Sequence, residues 1–333
     1  MAIRGSAPKP GDRVLWIRFG AFGDVLQAAA GAQRFKLRYP ETELTFMTRP
    51  EYADIVRTQP YVDGVIQWDP KRPWGGFSTA RAASRFDWVF SLHQGGAAAC
   101  LALASGVTRR FGYNRSMQFC YAGTHWDALD SLGVDFMNRD GTAIFTTREA
   151  DETAKALLGE LAPRKRRLFA VIGASKPQKL WPVRHWVEFL RHLLAKGDQS
   201  ASSWSVVLNG WGEAEARTAR EITEALPSGG LLSLVGKMDY AVMAAAAKLC
   251  DAAAGNDSGP LHLAALAGTP TLGFFGPTDS YRLGFRAPWF REVQVSCPDA
   301  GCWNYRCPQK NECLADITPQ RALAGLEKLM DIT

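Results

Sequence analysis

The sequence predicts an α/β protein made of two doubly wound halves, each a parallel β-sheet covered by helices. Short apolar runs rich in β-branched and aromatic residues alternate with longer helical segments, which is the pattern of parallel strands joined by right-handed crossovers. The alternation lapses after about residue 128 and restarts at Arg167. The length of 333 residues exceeds that of one ordinary hydrophobic core, which also favours two domains.

The first half begins with a predicted strand at Arg13–Phe19, followed by a glycine-containing turn. A helix is predicted from Val25 to Tyr39, because the periodic apolar pattern stops just before Pro40. The remaining predicted strands lie at 44–48, 64–68, 88–92 and 107–113, with a short helix at 51–58 and a Trp/Gly/Pro-rich connection with a short basic helix after the third strand.

The second half begins with a predicted strand at Arg167–Gly173 and a polar loop. The later strands are predicted at 205–209, 231–235 and 270–276, and the helices at 182–196, 213–226 and 240–249. We place the domain boundary between residues 160 and 161. Ligands of such folds bind outside the carboxyl ends of the strands, so two facing halves would hold a substrate in the cleft between them.

Composition and charge narrow the function classes. The chain is 47% apolar and 22% charged, without an apolar run long enough to cross a bilayer or a secretory h-region, so a cytoplasmic location is expected. The net charge of +6 suits anionic ligands such as nucleotides, phosphorylated sugars or an anionic membrane surface. Nucleic acid is not expected as a partner, because the densest basic run, Arg164 to Arg167, has no aromatic interleaving.

The segment from Gly255 to Ala264 carries the strongest local signal. A glycine-rich turn joins an apolar segment to a helical run, which leaves backbone amides and the helix dipole available to an anion such as a phosphate. The alternative is an ordinary helix start, in which Asp257 or Ser258 serves as N-cap and His262 fills a packing position. The motif alone leaves both interpretations open.

A second carboxylate lies in the turn after the first strand. This turn contains Gly20-x-x-Gly23, which is neither the dinucleotide-binding glycine pattern nor a P-loop. Its Asp24 is either an N-cap or a general base that faces the other half across the cleft.

Several polar residues lie in other loops at the predicted cleft. Lys176 and Lys179 follow the first strand of the second half and could hold a diphosphate, or they could be solvated loop residues. Glu215 could bind ribose hydroxyls or complement a helix dipole, and Met238 could cover an adenine face or fill the core. His93 follows a strand of the first half and could contact an acceptor.

Four of the seven cysteines cluster near the end of the sequence, at 297, 302, 307 and 313. Their spacing lacks the two-residue gap of a zinc knuckle. A structural metal clip, reduced packing thiols and a disulfide all remain open, and no other pattern indicates a catalytic metal.

The order and spacing of these motifs resemble glycosyltransferase family 9, which includes the ADP-heptose:lipopolysaccharide heptosyltransferases. The resemblance covers nearly the whole chain. It rests on Ile17–Leu26, Lys179–Trp186 and Gly255–Ala264, and it continues through Gly268–Pro270 and Phe275–Thr278.

The resemblance implies a GT-B fold, with two Rossmann-like domains facing across a cleft. Residues 1–160 would bind the acceptor, and residues 161–333 would bind the nucleotide sugar and include the cysteine-rich segment. It implies inverting transfer of a heptose from ADP-heptose to a sugar hydroxyl of an anionic glycolipid, such as the lipopolysaccharide core. The enzyme would then work in the cytoplasm, with contact to the inner membrane possible.

The resemblance also implies roles for individual residues. Asp24 would be the catalytic base and Lys179 would neutralise the leaving diphosphate. Residues implied for donor binding are Ser175, Glu215, Met238, Asp257, Ser258, Gly259 and His262, and the candidates for acceptor binding are Arg18, Gly23 and His93. Catalysis would need no cofactor, while a structural metal could occupy Cys297, Cys302, Cys307 and Cys313.

Two departures from the family pattern leave the substrates open. The first turn has Phe19 and Phe22 within its glycine block, and the loop before Lys179 is Lys176-Pro177-Gln178 rather than acidic or threonine-rich. The alternative is a GT-B enzyme that uses another nucleotide sugar, either a transferase or a sugar-nucleotide epimerase. An epimerase would need acid and base residues on both sides of the sugar.

Overall fold

The structure, a computed structural model, describes residues 7–69, 83–136, 143–161, 166–195, 203–226, 229–280, 287–304, 307 and 312–331. Most of the connection with the predicted basic helix, and the first half of the basic run at 164–167, lie outside these residues. Contacts between Cα atoms divide the chain into a first unit, Met1–Phe145, and a second unit, Thr146–Thr333.

The first unit contains a five-stranded parallel sheet in the order β3-β2-β1-β4-β5. Its described elements are β1 (Arg13–Ile17), α1 (Phe22–Arg38), β2 (Glu43–Thr48), α2 (Pro50–Arg57), β3 (Gly64–Gln67), β4 (Trp88–Ser91), α3 (Gly96–Ala104), β5 (Arg110–Gly112) and α4 (His125–Ser131). From β1, the next strands β2 and β3 are added on one side of the sheet, and β4 and β5 are then added on the other side. The topological switch point therefore lies between β1 and β4.

The second unit contains a six-stranded parallel sheet in the order β11-β10-β9-β6-β7-β8. Its described elements are α5 (Arg148–Leu158), β6 (Arg166–Val171), α6 (Val183–Leu194), β7 (Trp204–Asn209), α7 (Glu213–Glu224), β8 (Leu231–Ser233), α8 (Tyr240–Lys248), β9 (Ala252–Asn256), α9 (Gly259–Leu266), β10 (Thr271–Phe275), β11 (Phe290–Gln294) and α10 (Pro319–Met330). Here the switch point lies between β6 and β9.

The predicted α/β class with two parallel, helix-covered sheets is confirmed. The division of the chain falls before α5, whereas the sequence placed the boundary at 160/161. The reason is tertiary packing, because α5 lies against α8 of the second unit and so belongs with it. Helix α3, strand β11 and helix α10 were not predicted from the sequence.

Aromatic side chains fill the core beside the second switch point. Trp181 lies in the loop before α6, and its ring centroid is 4.6 Å from that of Phe274 on β10 and 4.9 Å from that of Trp186. All three side chains are buried, and burial of a large apolar side chain contributes roughly 2 kcal/mol. The indole N–H of Trp181 donates to the carbonyl of Ile317 at 2.7 Å, which fixes the loop.

In the described residues, no helix is long and apolar enough to cross a membrane.

Candidate active site

Polar side chains gather at the carboxyl ends of the strands on both sides of each switch point. In the first unit, Arg18 directly follows β1 and His93 closely follows β4. In the second unit, the loop with Lys179 follows β6, and Asp257 directly follows β9. Open α/β sheets bind ligands at such positions, so each unit presents one group of candidate residues.

The group in the first unit is built around an ion pair between Arg18 and Asp24. Asp24 lies in the first turn of α1, and its carboxylate accepts the backbone N–H of Ala21 at 3.0 Å while it contacts Nη2 of Arg18. Nη1 of Arg18 donates to the carbonyl of Leu92 beyond β4. The Asp24 side chain is 40% exposed, so the predicted base is held by one cation and remains open to solvent.

His93 packs beside this ion pair in a neutral form. Burial and, to a smaller extent, the charge of Arg18 lower the pKa of His93 to about 4, while Asp24 and a backbone hydrogen bond to Gly20 act in the opposite direction. The imidazole contacts the ring of Phe19 edge-on, with centroids 5.1 Å apart, and its Nδ1 is buried without a hydrogen-bond partner among the described residues. Gly23, the other predicted acceptor contact, lies half-buried in the first turn of α1.

The group in the second unit is built around Asp257, which is buried and has three side-chain partners. One carboxylate oxygen lies 2.6 Å from Nζ of Lys179 and accepts the hydroxyl of Thr278 at 2.7 Å. The other lies 3.0 Å from Nε2 of His262. Burial alone would raise the pKa of Asp257, but the hydrogen bond and charge of His262, with those of Lys179, hold it well below its usual range. Asp257 is therefore a fixed anion.

A buried amide side chain joins the two loops that supply this group. Asn256, the last residue of β9, accepts the backbone N–H of Trp181 at 2.9 Å and donates to the carbonyl of Ile172 at 2.7 Å. The loop after β6 is thereby held against the end of β9. Lys179 ends a short 3₁₀ turn in that loop, which directs its side chain to Asp257.

The start of α9 has open hydrogen-bond donors. Ser258 is the N-cap residue, but its side chain makes no capping hydrogen bond, and its hydroxyl is buried without a partner in the described part of the chain. The backbone amides of Ser258 and Gly259 likewise donate to no other described residue. Pro260 has no N–H to satisfy. Together with the helix dipole, these groups can accept an oxyanion beside Lys179.

Glu215, Met238 and Ser175, the other predicted donor residues, are not among the side-chain partners of Asp257. The Glu215 carboxylate lies over Gly173 and Gly210, where a side chain on either glycine would overlap it. Burial raises the pKa of Glu215, although its carboxylate accepts the backbone N–H of Trp211 at 2.6 Å. Met238 is buried and Ser175 is exposed.

The cysteine-rich segment lies against the second unit's core. Cys297 and Cys313 pack on the apolar cluster beneath the sheet. Burial, together with the neighbouring Cys297, Cys302 and Cys307, raises the pKa of Cys313 to about 11. Among the described residues, no group of three or more His, Cys, Asp or Glu side chains is arranged to hold a metal ion.

Sequence reasoning identified Asp257 and Lys179 but not their direct contact, and it assigned no role to Thr278 or Asn256. Thr278 follows β10, the neighbour of β9, and that adjacency is the signal that could have placed its hydroxyl near Asp257. Asn256 is the last strand residue before the predicted anion turn, so its side chain could have been considered as a structural link.

A family profile and a curated relative both point to the heptosyltransferases. The sequence profile of "Glycosyltransferase family 9 (heptosyltransferase)" matches residues 81–314. Lipopolysaccharide heptosyltransferase 1 of Campylobacter coli is 23% identical over 303 residues, covering 82% of this chain and 86% of that relative.

Two solved structures share the fold. A family 9 glycosyl transferase from Veillonella parvula superposes with a TM-score of 0.84 at 18% identity, covering 98% of this chain and 100% of that one. The E. coli ADP-heptose lipopolysaccharide heptosyltransferase II superposes with a TM-score of 0.69 at 19% identity, covering 96% and 98%.

Proposed function

The chain belongs to glycosyltransferase family 9, and we propose that it transfers a heptose from ADP-heptose, with inversion, to a sugar hydroxyl of a lipopolysaccharide core acceptor. The observation that carries this proposal is the open start of α9 beside the Lys179–Asp257 pair. A site with unpaired amides, a helix dipole and a fixed cation suits a diphosphate that becomes more negative as it leaves.

The donor diphosphate would bind at the start of α9. Its oxygens would accept the backbone amides of Ser258 and Gly259 and the free hydroxyl of Ser258. The ammonium of Lys179 has three donors, so it can keep its contact with Asp257 and still hold a phosphate oxygen. Asp257 would then keep Lys179 in place during the reaction, and Lys179 would neutralise the leaving group.

The sugar and nucleoside would extend from this centre to either side. Both carboxylate oxygens of Asp257 already have protein partners, so at most the remaining lone pairs could accept sugar hydroxyls, with His262 beside them. The carboxylate of Glu215, near the carboxyl end of β7, would bind ribose hydroxyls. Met238 would contribute to the wall around adenine, and Ser175 would reach the phosphates from its exposed loop.

The reaction would be a single displacement. Asp24 would accept the proton of the acceptor hydroxyl while that oxygen bonds to the anomeric carbon and the carbon–phosphate oxygen bond breaks. The electron pair of the broken bond would go to the diphosphate, at Lys179 and the start of α9. This scheme uses no metal ion. A structural metal at the cysteine-rich segment is a separate prediction, which elemental analysis of the full chain tests.

Several contacts support the acceptor side of the proposal. Arg18, Gly23 and His93 surround the half-exposed carboxylate of Asp24 at the carboxyl edge of the first sheet. A positive guanidinium at this place suits an anionic glycolipid acceptor. Work at the cytoplasmic face of the inner membrane would follow from such an acceptor.

Incubation with defined substrates tests the proposed function. The full chain would be given ADP-heptose and a heptose-free lipopolysaccharide core acceptor, with UDP and GDP sugars as competing donors. We expect a heptosylated product whose anomeric configuration, read by NMR, is opposite to that of the donor. Retention of configuration, or equal use of UDP sugars, would contradict the proposal. Conversion of the donor sugar without acceptor would indicate the epimerase alternative.

A further inference from the structure

An exposed aromatic residue lies beside the carboxylate proposed to bind the ribose. Trp211 closely follows β7 and is 62% exposed. Its backbone N–H donates to the carboxylate of Glu215 at 2.6 Å. Apolar residues exposed singly on a surface need no special explanation. This one, however, belongs to the turn that holds a proposed donor residue in place, so we consider what its ring can bind.

Two neighbouring turns hold the ring of Trp211 in place. The backbone N–H of Gly236 donates to the carbonyl of Gly210 at 3.0 Å, so the turn after β7 lies against the turn after β8. Tyr240, the first residue of α8, has its ring centroid 6.5 Å from that of Trp211, and the two ring planes are 22° from parallel. The indole is thus oriented without a ligand, so binding costs little side-chain freedom.

The order of the strands restricts which part of a donor can reach this ring. The proposed phosphate site follows β9, and the carboxylate of Glu215 lies over Gly173 and Gly210, which follow β6 and β7. The sheet order β9-β6-β7-β8 puts these places in a row that spans about 14 Å, because neighbouring strands are about 4.8 Å apart. A nucleoside diphosphate has the same linear order of phosphate, ribose and base. Its base therefore falls at the turns after β7 and β8.

Met238, the other candidate for contact with a base, lacks an open surface. It is 2% exposed, whereas Trp211 is 62% exposed. A buried side chain can form the back of a site, but it cannot present a flat face to a ligand without moving. Aromatic rings stack on nucleobases, and tryptophan has the largest ring system of any side chain. Exposure and chemistry both favour Trp211 as the residue that a planar base covers.

We propose that Trp211 is the base-stacking residue of the donor site and that its exposed indole packs on the purine ring of the nucleoside diphosphate. This inference rests on the proposed function and names a residue that determines donor specificity. A purine covers more of the indole than a pyrimidine does, so the ring favours purine nucleotides. Glu215 links the two contacts, because its carboxylate accepts the N–H of Trp211 and would accept the ribose hydroxyls.

Calorimetric titration of the full chain tests this assignment without requiring turnover. The probes are ADP, with a purine, UDP, with a pyrimidine, and inorganic pyrophosphate, which has no base. Trp211→Ala keeps the backbone N–H to Glu215 and removes only the ring. We expect it to bind ADP about tenfold more weakly, which is the value of one stacked base, UDP by a smaller factor, and pyrophosphate unchanged. Unchanged ADP affinity, or an equal loss for UDP or pyrophosphate, would overturn the proposal.

Three further variants show whether the ring itself carries the effect. Trp211→Phe keeps a flat ring and should recover most of the ADP affinity. The matched control is Trp126→Ala, since Trp126 is a 44% exposed tryptophan on α4 of the first unit and should leave ADP affinity unchanged. Met238→Leu keeps the side-chain volume and should weaken ADP binding much less than Trp211→Ala. The reverse order of these two losses would assign the base to Met238 and overturn the proposal.

Kinetics separate this inference from the proposed function. Trp211→Ala should raise KM for ADP-heptose by about tenfold with little change in kcat, because the base is stacked equally in the ground state and the transition state. If ADP binding depends on Trp211 but no heptose is transferred, the proposed function fails and the base contact stands. If heptose is transferred and KM is unchanged in Trp211→Ala, the base contact fails alone. No binding of ADP by the unaltered chain would overturn both.

Discussion

Two aspartates lie shortly after a central strand, one in each unit, but they differ in their surroundings. Asp24 lies in the first turn of α1, whereas Asp257 directly follows β9 and precedes α9. The Asp24 side chain is 40% exposed and has one cation beside it, whereas that of Asp257 is 2% exposed and contacts a lysine, a histidine and a threonine. The local motif therefore sets where each carboxylate lies, and the tertiary neighbours decide what it can do.

The difference separates a reactive carboxylate from a structural one. A base must reach its proton and change its charge, which is possible for a half-exposed group that can exchange its ion-pair partner. A buried carboxylate with three partners cannot change its charge without leaving Lys179 uncompensated. This contrast supports the proposal that Asp24 is the base and that Asp257 anchors the donor site.

The largest expected effect is on turnover. Asp24→Asn should lower kcat by about a thousandfold, because the amide keeps the shape of the side chain but cannot accept a proton. Calorimetric binding of ADP-heptose should remain unchanged, since Asp24 lies outside the donor group. The matched control is Asp54→Asn, since the Asp54 side chain is 90% exposed and pairs with Arg57 at the surface. Wild-type turnover in the Asp24 variant would show that Asp24 is not the base, and the contrast with Asp257 would no longer hold.

The next effect is on stability and compares the two aspartates directly. Asp257→Ala should lower the free energy of unfolding by about 3 kcal/mol, because it leaves the nearly buried ammonium of Lys179 without its counter-charge. Asp24→Ala should cost under about 1 kcal/mol, as expected for a partly exposed pair. Urea unfolding of both variants at pH 7 measures the difference. Equal losses would show that the two carboxylates have the same structural role.

The sequence predicts the positions of these carboxylates better than their partners. The strand–turn–helix patterns around Asp24 and Asp257 are local, so periodicity and glycine placement are sufficient to find them. The contact between Lys179 and Asp257 depends on β6 and β9 being neighbours, which is a property of the sheet order. The local sequence patterns also did not predict β11, a short strand at the edge of the second sheet.

The surroundings of His125 are likewise not predictable from its local sequence. It follows Thr124 at the start of a short helix, and nothing in that local sequence distinguishes it from an ordinary first-turn residue. Burial lowers the pKa of His125, and the charge of Arg18, which is distant in the sequence, acts in the same direction. A single sequence does not predict which residues of different strands lie near one another, because this depends on the sheet order.

A smaller effect is a difference between the two units in how stability depends on pH. The pKa of His125 is lowered to about 3 in the folded state, so below the unfolded value of about 6.5 the unfolded chain binds the extra proton and stability falls. Between pH 7 and pH 5 this histidine should cost about 2 kcal/mol. His125→Gln should remove that part of the loss, as measured by urea unfolding at both pH values.

Asp257 in the second unit titrates in a more acidic range than the unfolded-state histidine, which makes this pH comparison specific. The pKa of Asp257 is held below its usual range, so its stabilising contribution is complete above about pH 4 and is lost only as the pH falls further. Asp257→Ala should therefore lower stability equally at pH 7 and pH 5. A loss between pH 7 and pH 5 that is unchanged in His125→Gln would show that His125 is not buried in a neutral form.

The smallest effect concerns Ser258, a cap residue that does not cap. Replacing a serine N-cap by alanine ordinarily costs about 1 kcal/mol of stability, but the Ser258 hydroxyl makes no capping bond, so Ser258→Ala should cost much less. ADP-heptose affinity should instead fall by about fivefold, the value of one hydrogen bond to phosphate. Thr147→Ala is the control, because the Thr147 hydroxyl does accept the N–H of Ala150 at 3.2 Å and should lose stability without losing donor affinity. If Ser258→Ala lost stability and kept its affinity, the open helix start would be a structural feature, and the second unit would no longer differ from the first by offering a prepared anion site.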